Sequence, residues 1–534
     1  MNNNVLSLPK KALYSSMLIP IVYALLSGTV ACHHHLFTDW DGVMHYFSAM
    51  DIYQGNGYNG WASHFWPPLY PVLIGGLSLF MNGFTAAKLI SVAAASLLLF
   101  IVHRFTYHLC HNNFAACLAQ LLVAVNCTFI LLSIQAENHM LDSLFYVSAI
   151  LLLLQQLEKG NNAGFILVGI IVGLAGLSRY TSYSLLPAFV ITLFFFFPAR
   201  LAFRYAWCIV LGFALVSMPW WIINYMNNGS PFATWQYMNI GAGVLTDSRN
   251  KWWWWWSGID DYQSVLDIML GAPEAYASNF FTNVLYSLVF IIYRGKAIGM
   301  LCATAVIIML FRNGMVQLRT KLFLPLLLSL ACFIILVSQA FVFGEVFLSW
   351  VVLVVIYGIF AAYTLSRSAF LPGYMRKPLL ITAVVLVVCL DMFYTVKQTD
   401  GYINSVKGLE ENEQIVAALR TYDKHIHSKV VMSFHPGRAY HTGSRYIMLP
   451  PYYIGDINGL VTYQHMSYKV RDHAPRFPAD IDVNNLKTDY LIYDARAAIC
   501  LPQFSFLLKK GDPRIPGNFR LVYLSQQAAV YRIE

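Results

Sequence analysis

The sequence predicts a polytopic α-helical membrane protein that ends in a small α/β domain. Of its 534 residues, 58% are hydrophobic and only 11% are charged, and the mean hydropathy is +0.55. Soluble domains average about 25% charged residues, so these figures exclude a water-soluble enzyme of this length, and with it disordered, collagen-like and coiled-coil chains. Apolar stretches recur over the first three quarters of the chain, and a polar tail follows them.

The apolar stretches predict about eleven transmembrane helices, since about 20 residues are needed to cross the hydrocarbon core. They lie at 12–32, 84–103, 114–134, 140–157, 162–178, 183–198, 205–224, 297–311, 322–343, 346–364 and 379–397. A further apolar stretch at 67–80 is short and rich in Pro and Gly, which favours a re-entrant or juxtamembrane helix. The stretch at about 280–293 is interpreted in the same way.

The basic residues predict the orientation in the membrane. They fall in alternate connections, which is typical of cytoplasmic loops; examples are Arg104, Lys159, Arg200 and Arg312. The polar connections at about 33–83 and 225–296 and the tail then lie on the extracytoplasmic side. We expect a transmembrane catalytic domain at 1–397 and an extracytoplasmic α/β domain at 398–534, with strands near 429–434, 490–493 and 520–523. The nine cysteines show no disulfide or zinc spacing.

The first outer connection contains the acidic string Thr38-Asp39-Trp40-Asp41-Gly42. Carboxylates at the end of a transmembrane helix are costly unless they are hydrated, paired or used in function. Either Asp39 or Asp41 could instead cap the helix that begins here. The spacing leaves both interpretations open.

The strings around these acids resemble those of GT-C glycosyltransferases. The pattern D-G-x-x-x-Y-x-x-A begins at Asp41, and H-x-x-P-P-L-x-P begins at His64. Together they are similar to the first outer loop of protein O-mannosyltransferases and lipid A aminoarabinose transferases. Further resembling strings follow in the same order, at Glu137 with 141–145, 176–180, 219–225, 229–231, 440–445, 488–494 and 530–531. The resemblance covers most of the membrane region and, more loosely, the tail.

The resemblance implies an inverting glycosyltransferase that uses a polyprenyl-phosphate sugar, either a hexose or a pentose. In that family an acid of the first outer loop is the general base, which indicates Asp41 first and Asp39 second. Several relatives have adjacent Asp-Glu where this chain has Asp39-Trp40-Asp41, so the choice stays open. A phosphate-linked sugar already has a good leaving group. The enzyme therefore needs mainly a base for the acceptor and cations for the departing phosphate.

Three basic residues are candidates for holding the donor phosphate. Arg179 ends an apolar stretch on the outer side, and its planar guanidinium suits a phosphate, although it could also snorkel to the interface. Lys88 and His64 are weaker candidates on the same side. Candidate substrate-binding residues are Glu137, Asp142, Tyr46, Tyr180 and Glu345. Glu137 and Asp142 could also cap a helix or bind Mg²⁺ or Mn²⁺, and the sequence does not decide whether a metal is needed.

Five consecutive tryptophans at Trp252–Trp256 form an unusual run. An interfacial aromatic belt is the favoured interpretation. The alternative is an apolar wall for a polyprenyl chain or an acceptor lipid.

The leading hypothesis is therefore sugar transfer from a polyprenyl-phosphate donor to an extracytoplasmic glycan, lipid or protein at a prokaryotic inner membrane. A transporter or lipid flippase is the alternative, because membrane acids and bases also mark transport pathways. Transporters favour internal repeats and mid-span charges, and neither is evident here. A third hypothesis is a non-catalytic assembly subunit, in which the outer carboxylates would be dispensable. Nucleic acid is not an expected partner, and neither the sugar nor the acceptor is specified.

Overall fold

The computed structural model divides the chain into two compact units. The first comprises Met1–His35, Thr85–Ile223 and Phe280–Asp400, and the second Leu36–Phe84, Asn224–Asn279 and Gly401–Glu534. The structure describes residues 10–33, 40–58, 65–245, 262, 264–294, 316–340, 350–366, 382, 385, 389–390, 393, 397, 407–467, 470–471 and 474–534. Most of the two long polar connections of the sequence thus belongs to the same unit as the tail.

The described residues are mainly helical. The helices of the first 300 residues are α1 Lys10–His33, α2 Trp40–Tyr53, α3 Leu69–Ser78, α4 Gly83–Cys110, α5 Asn113–Ala124, α6 Cys127–Ser133, α7 His139–Lys159, α8 Asn162–Ser178, α9 Leu185–Phe196, α10 Ala199–Asn228, α11 Gln236–Val244, α12 Val265–Gly271 and α13 Pro273–Arg294. Those that follow are α14 Val316–Val337, α15 Val352–Ser366, α16 Lys407–Tyr422, α17 Gly437–Thr442, α18 Ile457–Val461 and α19 Ala495–Cys500. Short 3-10 helices occur at Tyr180–Ser184, Ile426–Ser428 and Pro502–Leu508.

The helices confirm an integral membrane protein. Within the described ranges, four helices are long and apolar enough to span a bilayer: α1, α4, α7 and α10. The bent pair α5 and α6 brings this number to five, and shorter apolar helices include α8, α9 and α15. The predicted stretch at 297–311 and most of 379–397 lie outside the described residues, so the count of about eleven stays a prediction.

The stretch predicted as one span at 114–134 is two helices. They meet at an angle of 67°. Asn126 causes the break, because its side-chain oxygen accepts hydrogen bonds from the backbone N–H groups of Thr128 and Phe129 and so caps α6. Asn126 is itself buried. A capping Asn inside an apolar run can thus start a new helix where hydropathy indicates continuity.

Glycines permit a close crossing of α8 and α10 in the first unit. A Cβ on Gly169 of α8 would overlap the carbonyl oxygen of Ile209 in α10, and a Cβ on Gly212 of α10 would overlap that of Ile166 in α8. The two backbones therefore touch where both side chains are absent. This is the close approach that small residues permit between membrane helices.

The tail forms the predicted α/β domain. Its strands are β1 Val430–Ser433, β2 Arg445–Met448, β3 Arg476–Phe477, β4 Tyr490–Asp494, β5 Phe519–Leu524 and β6 Ala528–Ile533. They form one sheet in the order β3-β2-β1-β4-β6-β5, in which β1 pairs parallel with both β2 and β4. Tyrosines fill much of its core, among them Tyr446, Tyr490, Tyr493 and Tyr531. The predicted strands near 429–434, 490–493 and 520–523 are confirmed as β1, β4 and β5.

Replacing Gly169 by Ala should lower the thermal unfolding midpoint of the purified protein. The added methyl group has to push α10 away, and such overpacking costs about 1–3 kcal/mol. The matched control is Gly28→Ala in α1, where an added Cβ has no atom within 4 Å. Equal unfolding midpoints for the two variants in the same detergent would contradict the close crossing.

Candidate active site

Acidic and basic groups gather at one end of the α7–α8 hairpin. Glu137 precedes α7, Asp142 lies in its first turn, and Arg179 follows the last residue of α8. Lys159 ends α7 at the opposite end of the hairpin. Because α7 and α8 are consecutive and run in opposite directions, the start of one meets the end of the other. The hairpin thus brings together three of the predicted site residues.

A chain of hydrogen bonds joins Arg179 to Glu137 through His139. The Nη1 atom of Arg179 lies 2.7 Å from Nδ1 of His139, and Nε2 of His139 lies 2.6 Å from a carboxylate oxygen of Glu137. Nη1 also donates to the side-chain oxygen of Asn138 at 3.2 Å. The side-chain nitrogen of Asn138 donates to the carbonyl of Ser178, which tethers the start of α7 to the end of α8.

These contacts define the tautomer of His139. A guanidinium can only donate, so Nδ1 of His139 accepts its hydrogen bond. The ring then has its proton on Nε2 and donates it to Glu137. A neutral imidazole therefore links a cation to an anion, and the Glu137 carboxylate balances the charge of Arg179.

Arg179 keeps donors for a further partner. Its Nη1 atom is engaged, while Nη2 and Nε have no hydrogen-bond partner among the residues that the structure describes. Arg179 is half-buried. Two donors on one planar group suit the oxygen atoms of a phosphate.

A narrow cleft lies against Arg179, and the roughly 200 Å³ of space between its lining atoms includes open solvent. Its polar wall includes Asp142, which is buried and accepts a hydrogen bond from the Ser182 hydroxyl. Its aromatic wall is formed by Phe333 of α14 and Trp350, whose rings stack with centroids 3.7 Å apart. The remaining lining residues are His139, Ser143 and Thr181. A charged donor beside a flat apolar wall is an arrangement that suits a phosphate attached to a sugar.

Lys88 and Tyr180 lie near this cluster without lining the cleft. Lys88 is buried in α4, and its Nζ atom is 3.4 Å from the carbonyl oxygen of Ala31 in α1. Ser91, one turn further along α4, donates to the backbone oxygen of Glu137. The Tyr180 hydroxyl accepts a hydrogen bond from the indole of Trp220. For both residues a direct role in binding substrate stays a prediction.

In the second unit, Asp41 lies in the first turn of α2 and is exposed. The residue before it is held by the tail, because the indole N–H of Trp40 donates to the carbonyl oxygen of Phe434 at 3.2 Å. An exposed carboxylate on an anchored helix start has the properties of a general base. The same position is also compatible with a stabilising role at the helix N-terminus.

The middle of α2 packs on the tail and on Phe84. The ring of Phe47 stacks on that of Phe477 with centroids 4.3 Å apart. Tyr46 lies edge-on to Tyr440 at 5.0 Å and contacts Phe84. These contacts give Tyr46 a packing role, and its predicted role toward substrate is untested.

A buried acid fixes the last turn of α2. The Asp51 carboxylate accepts hydrogen bonds from the backbone N–H of Ala479 at 3.1 Å and from the Asn56 side chain at 3.3 Å. Burial raises the pKa of Asp51 from 3.8 to about 6, although both hydrogen bonds act in the opposite direction. The Asp51 carboxyl thus joins α2 to the loop that follows β3.

Several predicted residues lie outside the described part of the chain. They are Asp39, His64, Glu345 and the run Trp252–Trp256. Among the residues that are described, no three His, Cys, Asp or Glu side chains come together as a metal site requires.

The structure adds site residues that the sequence interpretation missed. His139 and Asn138 connect Arg179 to Glu137, and Ser182 binds Asp142. The available signal was the polar string Glu137-Asn138-His139 immediately before an apolar helix. Phe333 and Trp350 gave no signal, because aromatic residues are common throughout this chain.

Replacing Asp51 by Asn should flatten the pH dependence of stability. A carboxyl whose folded pKa is raised contributes full stability below about pH 4 and loses it as the pH rises through about 6. The shift corresponds to about 3 kcal/mol between pH 4 and pH 7. We therefore expect Asp51→Asn to have a higher unfolding midpoint than the native protein at pH 8 and a similar midpoint at pH 4. Glu413→Gln, at an exposed position of α16, is the control. Parallel pH curves for the native protein and Asp51→Asn would contradict the raised pKa.

Comparisons with known proteins find similarities to one family model and to solved structures. A sequence model of the family described as dolichyl-phosphate-mannose-protein mannosyltransferase matches residues 66–223. The crystal structure of ArnT from Cupriavidus metallidurans bound to undecaprenyl phosphate has a TM-score of 0.58 and 11% identity, covering 96% of this chain and 97% of that one. The oligosaccharyltransferase of Archaeoglobus fulgidus, tethered to an acceptor peptide, has a TM-score of 0.44 and 13% identity, with coverages of 98% and 74%. The comparison with curated sequences finds no match.

The likeness to ArnT extends over nearly the whole of both chains and includes the tail as well as the helices. The family match covers α3 to α9 entirely, and with them Glu137, Asp142 and Arg179. The chain therefore shares its fold with ArnT over nearly its whole length, and residues 66–223 match the family described as dolichyl-phosphate-mannose-protein mannosyltransferase.

Proposed function

We propose that the chain is an inverting glycosyltransferase that moves a sugar from a polyprenyl-phosphate donor to an extracytoplasmic acceptor. The observation that supports this most directly is the cleft beside Arg179. It combines a guanidinium with two donors to spare and an aromatic wall. The similar ArnT structure contains undecaprenyl phosphate, which supports a donor of the same chemical class.

In the proposed reaction the acceptor hydroxyl or amine attacks C1 of the sugar. The bond between C1 and the phosphate oxygen breaks, and the polyprenyl phosphate leaves with the electron pair. Arg179 stabilises the negative charge that develops on this phosphate. The acceptor proton passes to the Asp41 carboxylate, with Asp39 as the alternative base. A single displacement on the face opposite the leaving group inverts the configuration at C1.

The Glu137–His139 pair has a positioning role in this proposal. It fixes one edge of the guanidinium, so that Nη2 and Nε are oriented before the donor arrives. Such preorganisation reduces the reorganisation needed during the reaction. Because Glu137 balances the charge of Arg179, the arginine is also less costly to bury in the absence of donor.

We place the cleft and the tail on the extracytoplasmic side. Lys159 and Arg179 lie at opposite ends of the α7–α8 hairpin, and Lys159 belongs to the series of basic connections that indicates the cytoplasm. The charged groups of the hairpin lie at helix ends. Transport favours charges near mid-span, so their position supports sugar transfer over the transporter alternative.

Replacing Asp41 by Asn should abolish sugar transfer and leave donor binding unchanged. The amide is nearly isosteric but cannot accept the acceptor proton. The measurement is incorporation of radiolabel from a panel of polyprenyl-phosphate sugars into membrane extract, with donor binding measured separately on the purified protein. Asp39→Asn is the matched variant, and loss of activity there alone would assign the base to Asp39. Full transfer by both variants would reject the proposed site.

Replacing Arg179 by Gln should weaken donor binding about 10- to 100-fold. This estimate follows from about 1.5–3 kcal/mol for hydrogen bonds to a charged group. Arg204→Gln, at an exposed position near the start of α10, is the control. His139→Gln should have a smaller effect on donor affinity, because the guanidinium charge remains. Unchanged donor affinity in Arg179→Gln would remove the phosphate assignment.

A further inference from the structure

The tail contains a second candidate binding place, at the carboxyl ends of β1 and β4. These strands are parallel neighbours. After β1 the chain continues through α17 to β2, toward one edge of the sheet. After β4 it continues through α19 to β5 and β6, toward the opposite edge. In open α/β sheets, ligands bind in the crevice outside the carboxyl ends of strands where successive connections diverge in this way.

Charged side chains converge at this edge. Asp494 is the last residue of β4, and its carboxylate pairs with Arg438 of α17 at 2.6 Å. The Arg438 side chain is only 5% exposed. Its Nε atom donates to the side-chain oxygen of Asn412 at 2.8 Å. Asp494 also accepts a hydrogen bond from the backbone N–H of Ala497 and so caps α19.

One nitrogen of the buried arginine is unsatisfied. Nη1 of Arg438 is buried and has no hydrogen-bond partner among the described residues. Leaving a charged donor without a partner in a buried place is unfavourable. An anion at this edge would supply the missing acceptor.

The local charge favours an anion. The charge of Asp494 is balanced by Arg438, while Arg496 adds a further cation, exposed and 5.3 Å above the ring of Phe434. Burial lowers the pKa of His435 to about 3, and Arg438 and Arg496 lower it in the same direction. The imidazole is therefore neutral. Its Nδ1 atom accepts a hydrogen bond from the backbone N–H of Gly437, so its Nε2 atom carries the proton.

We propose that this edge, formed by His435, Arg438 and Arg496, binds a phosphate or carboxylate group of the acceptor. This inference rests on the proposed function, because it assigns the acceptor to the tail. The loop after β1 links this edge of the sheet to the start of α2. Its Phe434 ring lies under Arg496, and its carbonyl oxygen holds Trp40, the residue next to Asp41.

The arrangement explains how an acceptor could be oriented for the base. An anionic group held by Arg496 and Arg438 fixes one end of the acceptor against the tail. The attacking hydroxyl or amine then belongs to another part of the same molecule, within reach of the start of α2. An acceptor without an acidic group would lack this attachment.

Equilibrium dialysis of the purified full-length protein with radiolabelled orthophosphate or acetate tests the site. All proteins in the test should also contain Arg179→Gln, so that the proposed donor site does not contribute. We expect Arg496→Gln to weaken binding at least five-fold and Arg496→Lys to restore most of it. The matched control is Arg520→Gln, since Arg520 is also exposed and lies 5.9 Å above the ring of Tyr422. Arg438 itself is left intact, because its removal would leave Asp494 buried and unpaired.

The two anions distinguish the source of the acidic group. Tighter binding of orthophosphate indicates a phosphorylated acceptor, and tighter binding of acetate indicates a carboxylated one. Absence of binding for both anions, or equal affinities for Arg496→Gln and Arg520→Gln, would overturn the inference.

A transfer assay separates this inference from the proposed function. With Arg179 restored, Arg496→Gln should increase the amount of membrane extract that gives half-maximal transfer and leave donor affinity unchanged. If Asp41→Asn abolishes transfer while Arg496→Gln has no effect on the extract requirement, the acceptor site is wrong and the proposed function stands. If Arg496→Gln loses anion binding while Asp41→Asn transfers sugar normally, the anion site stands and the proposed function is wrong.

Discussion

The pairing of charges where α7 begins and α8 ends is the constraint on which the site depends. Glu137 is almost fully buried, and an unpaired ionised group in such surroundings is very costly. The Glu137–His139–Arg179 chain meets this cost with two short contacts. It also determines which edge of the guanidinium is occupied, so that the N–H donors of Nη2 and Nε stay available. Stability of the hairpin and readiness for an anion thus have the same origin.

A second constraint acts on α2. Three of its residues are fixed within the second unit, Trp40 through Phe434, Phe47 through Phe477 and Asp51 through Ala479. Only a folded tail offers these partners, because each lies in or beside its sheet or loops. The position of Asp41 therefore depends on the contacts of α2 with the tail as much as on the sequence around Asp41. A tail of this kind has a role in the proposed chemistry even without a catalytic residue of its own.

The proposed chemistry divides its requirements between the two units. The first unit provides a cation, a hydrogen-bond network and an aromatic wall for a phosphate. The second unit provides an exposed carboxylate and a cationic edge of the sheet. Both substrates of the proposed reaction would thus be recognised through charge.

The sequence by itself determined the membrane character, the α/β tail and three of its six strands, and it singled out Arg179, Glu137 and Asp142, which the structure brings together at one end of the α7–α8 hairpin. Hydropathy, charge alternation and local strings are properties of neighbouring residues, so they are visible without a fold. The tertiary structure decided the break at Asn126, the role of His139 as the link to Arg179, and the aromatic pair of Phe333 and Trp350. It also decided the pairing of Arg438 with Asp494, 56 residues apart. These depend on contacts between distant segments, and such contacts follow from the packing of helices and the order of strands, which no local pattern specifies.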